Sequence, residues 1–108
     1  MKLTKGVQDL GKAFRDDHAR RGGELAHQIL DRAFETGLNF IDTADVYSRW
    51  VEGNPWGVAE QMVGNWLAKG SVRRQHVILA TKVRGRMGDG PNDEGLTRHH
   101  ILAAAEAS

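Results

Sequence analysis

Apolar residues recur with a helical period at Leu25, Ala26, Ile29, Leu30, Ala33 and Phe34, and charged Asp31, Arg32 and Glu35 fall elsewhere on the surface. This spacing predicts a helix over about 24–36. Gly37 follows the last periodic residue, where a left-handed C′ residue is expected. The period then changes. Leu38–Thr43 is a short, mostly apolar run with a β-branched centre and a polar end, and it predicts a buried strand. Residues 44–57 carry the breakers Gly53, Asn54, Pro55 and Gly57 and read as a long loop. Val58, Ala59, Met62, Val63, Trp66 and Leu67 form the apolar face of a second helix, about 58–69, closed by Gly70. His76–Lys82 predicts a second buried strand, and residues 84–96, with Gly85, Gly88, Gly90, Pro91 and Gly95, a second loop. Thr97 is a plausible N-cap for a third helix through Ile101, Leu102 and Ala103–Ala105.

The predicted order is helix–strand–helix–strand–helix. Strands alternating with helices imply an α/β fold of parallel βαβ units. Parallel strands point the same way, so Asp42 and Lys82 are expected at C-terminal strand ends on one edge of the sheet. That edge is where α/β folds place their chemistry. Two strands are too few for a doubly wound sheet or for a (β/α)8 barrel, which needs roughly 250 residues. With 108 residues, ending inside the third helix pattern, the chain is expected to be a piece of a larger α/β fold or to complete its core by association. Unpaired strand edges template further pairing, so self-association through them is expected. Residues 1–22 are mostly charged. Val7, Leu10 and Phe14 share one helical face there, and the stretch reads as a solvated arm or a short docking helix.

Composition narrows the function. The chain carries 15 Lys+Arg against 14 Asp+Glu, a net charge of +1. That balance argues against electrostatic nucleic-acid binding and against a polybasic membrane-surface segment. It has no cysteine, which removes disulfide scaffolds, thiolate zinc sites and cysteine nucleophiles. No apolar run approaches the roughly 18–20 residues of a membrane span, and no secretory signal is visible, so a cytoplasmic location is expected.

Three side chains carry candidate chemistry: Asp42 at a strand end, Tyr47 in the following loop and Lys82 at the next strand end. A free phenol has a pKa of about 10 and is a poor acid at neutral pH. A nearby ammonium favours the phenolate, and a carboxylate can keep that ammonium charged and oriented. Such a group could give a proton to a carbonyl oxygen. The alternative is an ordinary ion pair of Lys82 with Asp42, with Tyr47 a loop aromatic. Other groupings are weaker. Asp42 and Asp45 with Glu52 or Glu60 could suggest a glycosidase pair. His99 and His100 are adjacent and cannot face the same way on a helix, so they read as polar residues of a first turn rather than a metal site. The glycines of 85–95 lack the Gly-Lys-Ser/Thr ending of a phosphate loop. Trp50 and Trp56 either line an apolar substrate mouth or pack the loop.

Phe40-Ile41-Asp42-Thr43-Ala44-Asp45-Val46-Tyr47 followed by Ala80-Thr81-Lys82-Val83 resembles the aldo-keto reductase superfamily. Val51–Asn54, Val63–Leu67 and Gly85–Leu96 fit as well, the last resembling a bacterial branch. The resemblance covers about residues 23–108 and corresponds to the second and third βα units of a (β/α)8 TIM barrel. It implies reduction of aldehydes and ketones with NADPH, less often NADH. Asp42 would lie near the nicotinamide ribose and also belong to the catalytic set. Tyr47 would donate the proton, and Lys82 would lower its pKa. The family histidine would lie beyond Ser108, and His76, His99 and His100 do not inherit its role. The glycine-rich first strand is not recognisable in residues 1–22, and most of the cofactor site is expected to be missing. The competing expectation is a non-catalytic interaction piece, or a truncated product of a reductase gene.

Overall fold

The computed structural model describes residues 23–108. The arm expected over 1–22 lies outside the described residues. Helix α1 covers residues 23–35 and leads through Gly37, at φ 94°, into strand β1 (Phe40–Asp42). Helix α2 (Val58–Ala68) crosses over to strand β2 (Ile78–Ala80), preceded by a single 3-10 turn at Arg74–His76. Helix α3 (Arg98–Ala107) follows the second loop. The two strands pair in parallel with Phe40 opposite Ile78, Ile41 opposite Leu79 and Asp42 opposite Ala80. The βαβ unit and the order of elements are those expected. The strands are three residues each, shorter than the apolar runs that encode them.

The core lies on one side of this sheet. Trp66, the most completely buried large side chain, clusters with Val72 and Val77, and Leu30, Phe34, Ile41 and Leu67 pack against it. The Trp66 indole donates from Nε1 to Asp31 Oδ1 at 2.7 Å. The ring therefore enters the core without an orphaned donor, as a buried tryptophan requires. A second bond joins the same helices: His27 Nε2 donates to the Met62 carbonyl at 2.9 Å.

The strands are not buried on both faces, which corrects the expectation. Alternation turns Ile41 and Leu79 toward the helices and leaves Phe40 and Ile78, paired with each other, 62% and 54% exposed. Leu30 and Phe34 of α1 and Trp66 and Leu67 of α2 cluster with Ile41 on one face, while Phe40 and Ile78 on the other stay exposed. Leu25 and Ile29, expected on the buried face of α1, are likewise exposed. Among the described residues no helix is long and apolar enough to cross a membrane.

Candidate active site

Backbone pairing places the predicted residues side by side. Asp42 ends β1, and the ladder runs on past the strands: Thr43 N donates to Ala80 O at 2.9 Å and Asp45 N to Lys82 O at 3.3 Å. Lys82 thus lies beyond the end of β2 yet is held against the chain that follows Asp42. The loop after β1 turns sharply at Tyr47, whose N–H donates to Ala44 O at 3.2 Å, and Ser48 follows in the left-handed region at φ 70°. Arg84, two residues after Lys82, also has a positive φ, of 134°. Left-handed non-glycine residues cost about 1–3 kcal/mol and cluster at functional sites. The two loops approach closely. A Cβ on Gly85 would overlap the Val46 side chain, so only glycine fits there as the backbones stand.

All three candidates meet. Lys82 Nζ donates to Asp42 Oδ2 at 2.7 Å and lies 4.6 Å from the centroid of the Tyr47 ring, over its face. The lysine and aspartate side chains are 45% and 57% exposed, open to a ligand from solvent. The Asp42 carboxylate first, and Tyr47 second, hold the Lys82 ammonium above the ordinary lysine pKa. It therefore stays charged through the neutral range. The arrangement is a surface dyad with a phenol beneath the cation. It orients an ammonium over an aromatic face. Tyr47 also meets Trp50 edge-on at 5.9 Å, and Trp50 is 74% exposed. Arg49 stacks over Trp56 at 5.0 Å, which braces the same loop.

A cavity of about 560 Å³ opens beside this edge, between α2 and α3. Asp45, Glu60, Asp93, His100, Trp56 and Ala104 are among its lining residues, and Asp42, Tyr47 and Lys82 are not. Asp45 and His100 are each 3% exposed. Among the described residues neither oxygen of Asp45 has a hydrogen-bond partner, nor does Nε2 of His100. Burial pushes the Asp45 pKa above 3.8, and Glu60 adds to the rise, while the amides of Val46 and Asp45 and the nearby His100 oppose it. Those amides do not reach hydrogen-bond geometry. Sequence reasoning missed both residues, taking Asp45 as one more loop carboxylate and His100 as a polar residue of a first turn. The helical period offered a partial signal, since His100, Ala103, Ala104 and Ala107 share one face of α3. Among the described residues no group of three or more His, Asp or Glu is placed to hold a metal ion.

The sequence profile of the Aldo/keto reductase family matches residues 10–108, reaching into the stretch before residue 23 where no motif is apparent. The uncharacterized oxidoreductase YrpG of Bacillus subtilis is 41% identical over 89 residues, covering 79% of this chain and 26% of that protein. An uncharacterized 11.2 kDa protein from the crtE 3′ region of Pseudescherichia vulneris is 49% identical over 60 residues, 56% of this chain and 58% of its own length. Aryl-alcohol dehydrogenase GME11368 of Pestalotiopsis microspora is 34% identical over 80 residues, 74% of this chain and 19% of the dehydrogenase. The chain thus spans about a quarter of the length of YrpG and somewhat over half of the 11.2 kDa protein.

Proposed function

Because the chain belongs to the aldo/keto reductase family, we propose that it carries the proton-donating edge of an NAD(P)H-dependent reductase of aldehydes and ketones. The observation that carries this reading is the meeting of Lys82 with both Asp42, at 2.7 Å, and the Tyr47 ring, at 4.6 Å. When bound, a nicotinamide cofactor supplies the hydride. Asp42, whose carboxylate is more than half exposed and engages Lys82 through Oδ2, would hold the ribose of that cofactor. Tyr47 gives its phenolic proton to the carbonyl oxygen as negative charge develops there, leaving an alcohol and a phenolate. Lys82 stabilises that phenolate until solvent returns the proton, and Asp42 keeps Lys82 charged and in place. Trp50, standing free beside Tyr47, is positioned to cover one side of an approaching carbonyl compound. A cytoplasmic location goes with this reading.

Fluorescence titration of the chain with NADPH tests it. Saturable binding that Asp42→Asn weakens, together with carbonyl-dependent NADPH oxidation that Tyr47→Phe lowers by about 100-fold or more while sparing cofactor affinity, is the expected result. Oxidation unchanged in Tyr47→Phe would remove Tyr47 from the mechanism. Absence of NADPH binding would separate the residues from the site they serve. It would favour a second reading, a non-catalytic interaction piece, for which the exposed Phe40–Ile78 face of the sheet speaks.

A further inference from the structure

We propose that Asp45 is a positioning residue for Tyr47: its buried carboxylate, set between Glu60 and His100, fixes the turn that holds the phenol under the Lys82 ammonium. The inference rests on the reading of Tyr47 as the proton donor. Asp45 lies two residues before Tyr47 and ties separate segments together through its backbone. Its N–H donates to Lys82 O at 3.3 Å, and its carbonyl accepts from Gly57 N, at the start of α2, at 2.9 Å. One residue on, the Val46 side chain stands so close to Gly85 that no Cβ fits there. A displacement of residue 45 is therefore passed to both members of the Lys82–Tyr47 contact, in which ammonium and ring centroid are 4.6 Å apart.

The side chain adds what the backbone alone does not. The Asp45 carboxylate is sealed from solvent and meets no donor among the described residues. The titratable side chains around the recess behind it are Glu60 of α2, Asp93 of the second loop and His100 of α3, and no lysine or arginine lines it. Asp93 Oδ2 is engaged by Gly90 N at 2.7 Å. Glu60 Oε1 accepts from Ser108 Oγ at 2.9 Å and from the hydroxyl of Thr81, the residue before Lys82, so the recess anchors that arm of the site as well. Glu60 disfavours the charged form of Asp45 and His100 favours it. The imidazole on α3 is thus the group that draws the charged carboxylate inward. A sealed carboxylate without donors weakens the fold, and such groups gather at functional sites. Losing the charge, on protonation or in Asp45→Asn, removes the pull toward α3 and frees the turn that carries Tyr47.

Tyr47 is the only tyrosine of the chain, so its ring signals are unambiguous by NMR. The experiment follows those signals, the nuclear Overhauser contact between the Tyr47 ring and the Lys82 methylenes, and the carboxyl ¹³C signals of Asp42 and Asp45, from neutral to acid pH. The Tyr47 ring is expected to shift with an inflection at the Asp45 midpoint, and the contact with Lys82 to weaken as Asp45 takes up its proton. Asp45→Asn should abolish that inflection and lose most of the contact already at neutral pH, while folding at least as stably as the parent. A merely structural residue does not give that pairing of effects. His100→Gln should raise the Asp45 midpoint and carry the Tyr47 inflection with it. A Tyr47 ring that does not respond at the Asp45 midpoint, or a contact undiminished in Asp45→Asn, would overturn the proposal, and the parent titration decides even where a variant does not fold. No cofactor or carbonyl compound enters these measurements, so failure here is distinct from failure to bind or oxidise NADPH, which tests the reductase reading.

Discussion

Asp45 has almost no solvent around its carboxylate, no donor among the described residues reaches hydrogen-bond geometry with it, and burial holds its pKa above 3.8. A carboxyl whose pKa is higher folded than unfolded binds protons more tightly when folded. Its stabilising contribution is full below the unfolded value and is lost as pH rises through the folded one. Asp45→Asn is therefore expected to stabilise the chain at neutral pH, and the gain should vanish as the pH falls below the ordinary carboxylate range. Urea melts of both proteins at neutral and acid pH check the sign; a variant less stable at neutral pH would mean the carboxylate makes a contact absent here. Lys82 contrasts with this. Its charge has a partner at 2.7 Å and open solvent besides, so the exposed Asp42–Lys82 pair adds little to stability.

The helices follow their coding closely. Gly37 and Gly70 adopt φ of 94° and 76° at the ends where the sequence places them. Thr97 caps α3 through its hydroxyl, which accepts from His100 N at 3.2 Å. Thr97→Ala should cost about 1 kcal/mol. Because that bond fixes the turn bearing His100, it should also broaden the resonances around the α2–α3 cavity. A loss of stability with the cavity resonances unmoved would place the cap's effect in the helix alone. Trp66 ties α2 to α1 through Asp31, and Trp66→Phe keeps an aromatic ring while deleting that donor. About 1–3 kcal/mol of destabilisation is expected by thermal melting. A smaller change would mean that Asp31, which is only partly buried, recovers its hydrogen bond from water.

At the level of the molecule, the open sheet face governs behaviour. Phe40 and Ile78 stand opposite one another on the face away from α1 and α2, beside strand edges that lack a further partner among the described residues. Exposed edges and apolar faces promote association. Sedimentation velocity should show concentration-dependent oligomers, and Phe40→Lys with Ile78→Lys should shift them to monomer. Oligomers that persist in the double variant would move the contact elsewhere, with the exposed Leu25 and Ile29 of α1 the next candidates.

Element order, parallel pairing and the placing of Asp42 and Lys82 at one edge of the sheet were readable from the chain, and the place of Tyr47 beside them only from the resemblance. Helical and strand periods, glycine stops and two separated motifs are local signals, and a parallel βαβ unit brings strand ends to one edge. How much of each apolar pattern is buried was not readable. Leu25, Ile29, Phe40 and Ile78 match their patterns and are still exposed, because burial depends on what packs against a face and not on the face itself. The isolation of Asp45 and His100 had the same origin. A loop aspartate and a first-turn histidine are ordinary in sequence, and their burial depends on which distant segments the fold brings around them.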